Sequence, residues 1–328
     1  MSGSILSASS RLRIGSIVLS VIVLLFALNA GVYESIVPRF FRGALTAQES
    51  FVLFELRVPR VLIAFAAGAI LSLVGLVYQT LFVNPLASPY TLGVSGCAAV
   101  GYVISQFFLP DSLRSSLNTI CSIIGGIAAL CVLLPFLRSN KLRMTDTVLL
   151  CGVLLSLFCG SLLFLLQYFL DPAGIVQLTG WYFGTLSVTG IEKPLLLLAL
   201  SLILLLILRY SAPALDLLLL GEEYAHGMGV PVRALQLRLI GFTTLLVALT
   251  VAFCGPIGFI GLIMPHFGRA MVGHSHARLI AFSFYSGGFF LVFCDATARI
   301  LGGMQEIPVG LVTAIIGCPV MVTLLMKR

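Results

Sequence analysis

The sequence predicts an all-α polytopic membrane protein of about ten transmembrane helices, and three observations carry that prediction. The 328-residue chain is 59% hydrophobic and only 9% charged. Its apolar runs recur at roughly 20 residues, the length at which a helix crosses the hydrocarbon core. Stretches such as 194–208 are almost continuously apolar, where the strands of an outer-membrane barrel would alternate polar and apolar residues. A helix satisfies its own backbone hydrogen bonds in lipid, so the runs are read as spans of a single transmembrane domain, residues 1–328.

Taken in order, residues 1–13 form a Ser-rich tail with Arg11 and Arg13. The following run, 14–32, resembles a signal-peptide core, but no convincing small-residue cleavage site leads into a soluble region, so it is read as the first span. The further runs are 58–82, 92–109, 117–137, 147–170, 191–210, 235–255, 257–273, 277–296 and 306–326. Pro85 and Pro89 break the helix between the second and third spans. The eighth span is short and interrupted by Gly258, Gly261 and Pro265. Five spans precede the loop around Asp171–Gly190 and five follow it, a division compatible with an inverted repeat.

An even number of crossings puts both termini on one side. Twelve of the 19 basic residues fall on that side in this arrangement, so the positive-inside rule makes both termini cytoplasmic. Three arginines then stand on the outer face against that bias: Arg57 and Arg60 at the start of the second span and Arg299 at the end of the ninth. Two readings are open for them. They pair with Glu55, Asp295 or Glu306 or hold lipid phosphate, or they form an external basic site for an acidic partner or anionic ligand.

Several chemistries are missing. All twelve acids map to span ends or loops, which weighs against an ion-coupled secondary transporter, the alternative reading, because such proteins usually bury a carboxylate within a span. The chain has no Gly-x-x-x-x-Gly-Lys-Ser/Thr phosphate loop, no Gly-x-Ser-x-Gly elbow and no His-Glu-x-x-His helix, so neither ATP hydrolysis nor intramembrane hydrolysis is expected of it. His274 and His276 beside Arg278 lack the companions of a four-ligand metal site and read as a polar turn, and His266 as a backbone-bonding residue. The eight cysteines fall mostly in apolar runs without Cys-x-x-Cys spacing and read as small packing residues. No cofactor in this chain and no nucleic-acid partner are expected.

Residues 221–230 are a polar, glycine-punctuated island within the cytoplasmic segment 212–232. The segment suits two short helices, Asp216 capping the first, with Gly227 and Gly229 reversing the backbone before Pro231. Two glutamates, an aromatic and closely spaced glycines exceed what a plain solvated loop requires.

Five segments, in this order, carry a resemblance: LRVPR (56–60), NPLASPYTLGVS (84–95), LGEEYAHGMGV (220–230), GPIGFIGLIMPH (255–266) and EIPVG (306–310). Together they resemble the FecCD family, the permease subunits of ATP-driven bacterial importers for iron-siderophores, haem and cobalamin. Phe267-Gly268 stands where many relatives carry Leu-Ala.

The resemblance implies ten spans and a second permease subunit, identical or related, around a central path. It also implies two cytoplasmic ATP-binding-cassette ATPase subunits, which bind the ATP and Mg, and an external substrate-binding protein. It implies coupling to the ATPase through Gly221, Glu222, Glu223, Tyr224, His226, Gly227 and Gly229. Arg57, Arg60 and Arg299 match arginines that receive acidic residues of the binding protein. Asn84 and Leu86 match an inner gate, with Thr145 a further gate candidate whose plain reading is a helix cap. The glycines of 255–261 read as close-packing positions. Within the family's range of cargo, iron-siderophore is the first expectation.

Overall fold

In the computed structural model, residues 19–30, 36–137, 144–170, 172–303 and 307–326 are described, and every regular element among them is helical. The order is α1 (Leu19–Asn29), α2 (Ile36–Phe41), α3 (Ala47–Phe51), α4 (Val58–Leu81), α5 (Val94–Phe108), α6 (Asp111–Leu137) and α7 (Met144–Gln167). It continues with α8 (Pro172–Tyr182), α9 (Glu192–Leu218), α10 (Glu222–Gly227), α11 (Val232–Cys254), α12 (Ile260–Val272), α13 (His276–Gly302) and α14 (Val309–Met326). The tail 1–13 lies outside the described residues, as do Glu34, Lys141, Arg143 and Glu306.

Among the described residues, six helices are long and apolar enough to cross a bilayer: Ala47–Leu81, Leu117–Phe136, Thr147–Gln167, Glu192–Leu218, Val232–Cys254 and His276–Gly302. Leu19–Asn29, Val94–Phe108 and Val309–Thr323 are apolar but shorter. The 13 residues of α12 rise about 20 Å, well short of a ~30 Å hydrocarbon core, which accounts for the weak eighth run in the sequence.

Helix α4 is the axis of the bundle, with α9, α11, α12 and α13 packed around it. Its sequence explains the position, because small residues recur on the faces that meet other helices. A side chain on Gly68 would strike the Gly287 backbone of α13, and one on Gly75 would strike the Gly261 backbone of α12. Gly288 of α13 accommodates the ring of Phe65 in the same seam. Between helices in lipid there is no hydrophobic drive to associate, so close backbone approach supplies the dispersion contacts. The outer helix α7 instead exposes Leu154, Leu157, Phe158 and Phe164, an apolar face suited to lipid or to another membrane subunit.

Three expectations need correction. The run ending at 210 continues through Ser211, Ala212 and Pro213, so α9 extends to Leu218 and absorbs the first of the two short helices expected after it. Asp216 therefore caps no helix of its own. It sits inside α9, and its carboxylate accepts the His276 amide at the start of α13, 2.9 Å away. The loop 171–190 contains α8, which opens on Pro172, a favoured first helical residue.

The approach to α4 is also more structured than its apolar pattern indicates. Thr46 and Glu49 form a capping box at α3, a Thr-x-x-Glu signal present in the sequence. A π-helical turn at Val52–Arg57 then joins α3 to α4 as one continuous helix, placing an i→i+5 bulge just ahead of Arg60.

Candidate docking, gate and coupling sites

The three arginines converge at one end of the bundle. Asp295 of α13 is 1% exposed and stands between two of them: Arg60 Nε donates to Oδ1 at 2.9 Å, and Arg299 Nε lies 3.0 Å from Oδ2. Arg299 also donates to the carbonyls of Ala27 (2.9 Å) and Ala30 (3.0 Å), and buried Arg57 donates to the Leu28 carbonyl. These bonds satisfy carbonyls at the end of α1 that its own helix leaves open. Of the pairing partners open at the sequence level, Asp295 is engaged, while Glu306 lies outside the described residues.

Arg60 keeps the most exposure of the two side chains on Asp295, 14% against 9%, and it also lines a cavity of about 660 Å³. The wall includes Tyr102 and Gln106 of α5, Trp181 of α8, Thr185 in the loop after α8, and Val309 of α14. Tyr102 and Trp181 stack with ring centroids 3.9 Å apart. The loop after α8 frames this space through backbone bonds, since Thr185 donates to the Cys254 carbonyl at 2.8 Å and Gly310 donates to that of Phe183 at 2.8 Å. The cavity is of the size that holds organic ligands, and its wall mixes the aromatic faces of Tyr102 and Trp181 with the polar groups of Arg60, Gln106 and Thr185. Among its lining residues the sequence singles out Arg60 and gives no role to Trp181, because the α8 segment lacks a long apolar run.

The gate candidates lie at the far end of α4. The chain leaves α4 through Val83, whose φ of +46° is unusual for a β-branched residue, and the Asn84 amide returns to the Gln79 carbonyl at 3.2 Å. Asn84 Oδ1 accepts the Leu86 amide at 2.8 Å, an Asx turn that leaves Leu86 half exposed. Ser156 of α7 donates to the Tyr90 carbonyl at 2.8 Å and pins the middle of the segment. Thr145 falls in the first turn of α7; its side chain lies outside the described residues.

The polar island forms α10. Gly221 before it has φ +117° and Gly229 after it φ +85°, conformations that strain any other residue. Ala225 is fully buried and seats the helix, whereas Glu222, Glu223, Tyr224, His226, Gly227 and Gly229 are exposed. Gln236 of α11 donates to Glu222 at 2.7 Å across the exposed face between the two helices.

The glycines of 255–261 differ. Gly261 lies against the backbone of α4 and Gly255 against that of Trp181, but Gly258 meets nothing nearer than Tyr90 at 4.0 Å. The histidines are dispersed: His274 is exposed, His266 is buried in α12, and His276 is bonded to Asp216 and Thr80. All eight cysteines are free thiols, Cys97 and Cys159 facing each other at 3.3 Å between α5 and α7.

The sequence profile of the FecCD transport family matches residues 16–327. The vitamin B12 import system permease protein BtuC of Vibrio cholerae is 36% identical over 288 residues, covering 87% of this chain and 86% of that protein. The protein of the same name from Vibrio vulnificus is 34% identical over 311 residues, 95% of this chain and 93% of that one. A solved structure described as an inward-facing conformation of a metal-chelate type ABC transporter superposes with a TM-score of 0.85 at 32% identity, covering 97% of this chain and 100% of that one. The chain belongs to the FecCD transport family.

Proposed function

We propose that this chain is the membrane-spanning permease subunit of an ATP-binding-cassette importer, which carries a metal chelate delivered by an external binding protein. The observation that carries the reading is near full-length similarity to import permeases, at 36% identity over 87% of the chain. The two ends of the bundle have the features such a subunit needs, a cavity beside basic residues at one end and an exposed polar helix at the other.

In this reading the chain crosses the bacterial cytoplasmic membrane ten times with both termini inside, α12 making a short crossing. The end bearing Arg60 faces out and the end bearing α10 faces the cytoplasm. It pairs with a second permease subunit, the same chain or a related one. Two ATPase subunits supply ATP hydrolysis, and this chain performs no covalent chemistry.

Arg57, Arg60 and Arg299 form the docking rim. Arg60 presents charge beside the cavity, while Arg57 and Arg299, tied to α1, set the rim's shape. Such rim charges steer an acidic partner and fix its register while leaving it free to dissociate. Glu222, Glu223, Tyr224 and His226 of α10 contact the ATPase, with Gly221, Gly227 and Gly229 shaping the turn. Asn84, Leu86 and Thr145 serve the inner gate.

The cargo class is a metal chelate. The relatives that import vitamin B12 support a corrinoid ahead of the iron-siderophore expected from sequence, with haem in the same class. Uptake of labelled cyanocobalamin, a ferric siderophore and haemin, compared in cells with and without this chain, tests the assignment. Loss of cyanocobalamin uptake alone supports a corrinoid, and loss of ferric siderophore or haemin uptake alone moves the cargo accordingly.

A further inference from the structure

Between α10 and the gate segment runs a set of hydrogen bonds that the roles proposed above leave unused. Asp216 lies on the last turn of α9, six residues before α10 begins. Its Oδ1 accepts both the backbone amide of His276 at 2.9 Å and His276 Nδ1 at 2.6 Å. The carboxylate thereby caps the start of α13 and selects the ring tautomer protonated at Nδ1. With that tautomer His276 Nε2 accepts from the Thr80 hydroxyl, 2.8 Å away on the last turn of α4, whose single proton is shared with the Leu76 carbonyl at 2.9 Å. The imidazole is 1% exposed, so its bond to Thr80 is shielded from water, whereas the Asp216 carboxylate is 42% exposed and is held by two bonds from His276.

Thr80 is joined by its neighbour. Gln79 donates to the Gly261 and Leu262 carbonyls of α12 at 3.1 and 3.2 Å, and its Oε1 accepts from Arg269 at 2.6 Å. The backbone carbonyls of the same two residues hold the chain that follows, Gln79 accepting the Asn84 amide and Thr80 the Val83 amide. The final turn of α4 is thus bonded to α12 and α13 and, through His276, to α9, and it carries the segment containing Asn84 and Leu86.

We infer that the Asp216–His276–Thr80 bonds are a positioning relay, transmitting displacement of α10 to the Asn84–Leu86 segment by moving the inner end of α4. The relay rests on the permease reading, in which α10 follows the ATPase. Thr80 and His276 are buried and have few alternative partners, so α4 and α13 shift together or lose that bond, and the paired bonds from His276 to Asp216 draw α9 with them. A second tie, Arg209 donating to the Ala277 carbonyl at 3.0 Å, keeps α9 and α13 in register while this happens. The test perturbs single links of the relay.

The experiment uses the full complex with its own ATPase and binding protein in nanodiscs. Hydrogen exchange is followed in the 82–93 peptide, nucleotide-free and trapped with ATP and vanadate. The wild type is expected to change exchange between the two states. Thr80→Val, which keeps the side-chain shape and removes the hydroxyl, is expected to shrink that change roughly 5-fold or more. Asp216→Ala is expected to do the same, the double variant to lose no more than either alone, and Thr80→Ser to restore the response. Basal ATP hydrolysis stays within about twofold throughout, on the scale of a surface change.

A wild-type response in Thr80→Val overturns the relay. So does a parallel fall of ATP hydrolysis and exchange response that Thr80→Ser fails to rescue, the pattern of a merely structural bond. If the wild-type complex shows no nucleotide-dependent change even in α10, the permease reading itself fails, and the relay with it.

Discussion

Arg60 and Asp295 are 235 positions apart in the chain and 2.9 Å apart in the structure. Asp295 is buried and is shared with Arg299, so its removal leaves two guanidinium groups facing a site with no carboxylate between them. Breaking a buried pair by deleting one partner typically costs about 3–5 kcal/mol. We expect Asp295→Ala to lower the thermal midpoint of the purified protein markedly, measured by tryptophan fluorescence of Trp181, and an unchanged midpoint would remove the pair from the list of stabilising contacts.

The docking rim makes a separate prediction. Arg60→Gln keeps a hydrogen-bond donor toward Asp295 while deleting the charge beside the cavity. The binding protein should then associate more slowly, by about tenfold at low salt, with a flatter salt dependence and a normal amount of protein in the membrane. Surface plasmon resonance at several salt concentrations reads this out; an association rate and salt slope equal to those of the wild type would exclude Arg60 from docking.

The three glycines of the 255–261 motif should respond differently to the same change. Gly261→Ala pushes a methyl into the α4 backbone at Leu71, 2.7 Å from its carbonyl oxygen, and Gly255→Ala drives one to 2.2 Å from the Trp181 carbonyl oxygen at a left-handed φ of +69°. Overpacking of this kind costs about 1–3 kcal/mol. Gly258→Ala meets only Tyr90 at 4.0 Å and should be neutral. Thermal midpoints that fail to rank Gly258→Ala above the other two would contradict the packing described for α4 and α12.

Much of this fold was legible because the bilayer sets the length of an apolar run, and the runs at 58–82, 235–255 and 277–296 lie within two or three turns of α4, α11 and α13. What escaped were elements whose composition does not follow that rule. Helix α8 mixes Gly174, Gln177, Thr179 and Gly180 into its 11 residues, and α9 passes through Pro213 to a charged residue at its end. Thr46 and Glu49 did carry a readable signal for α3. At the sites, the sequence offered Asp295 as a partner for the outer arginines, but no motif indicated the Ala27, Leu28 and Ala30 carbonyls that hold Arg57 and Arg299. No local pattern links Asp216 to His276 across 60 positions or His276 to Thr80 across 196.

Helix α10 offers a test of its own surface. Ala225 seats it, and the exposed face carries Glu223 and Tyr224. Glu223→Arg with Tyr224→Ala leaves the seat intact and reverses the charge offered to a partner. We expect the ATPase to co-purify at least about tenfold less with this variant, a loss equivalent to removing one strong interface contact, while the thermal midpoint of the permease alone is unchanged. Undiminished co-purification would assign the ATPase contact to another segment.

The most direct test of the central claim is the energy source of uptake. In cells expressing this chain with a partner ATPase and binding protein, uptake of the chelate identified by the labelled-cargo comparison is measured after inactivating the ATPase, and separately after adding an uncoupler with ATP held constant. The account predicts that uptake collapses in the first case and persists in the second. Persistence without the ATPase, with collapse under the uncoupler, would show an ion-coupled transporter and contradict it.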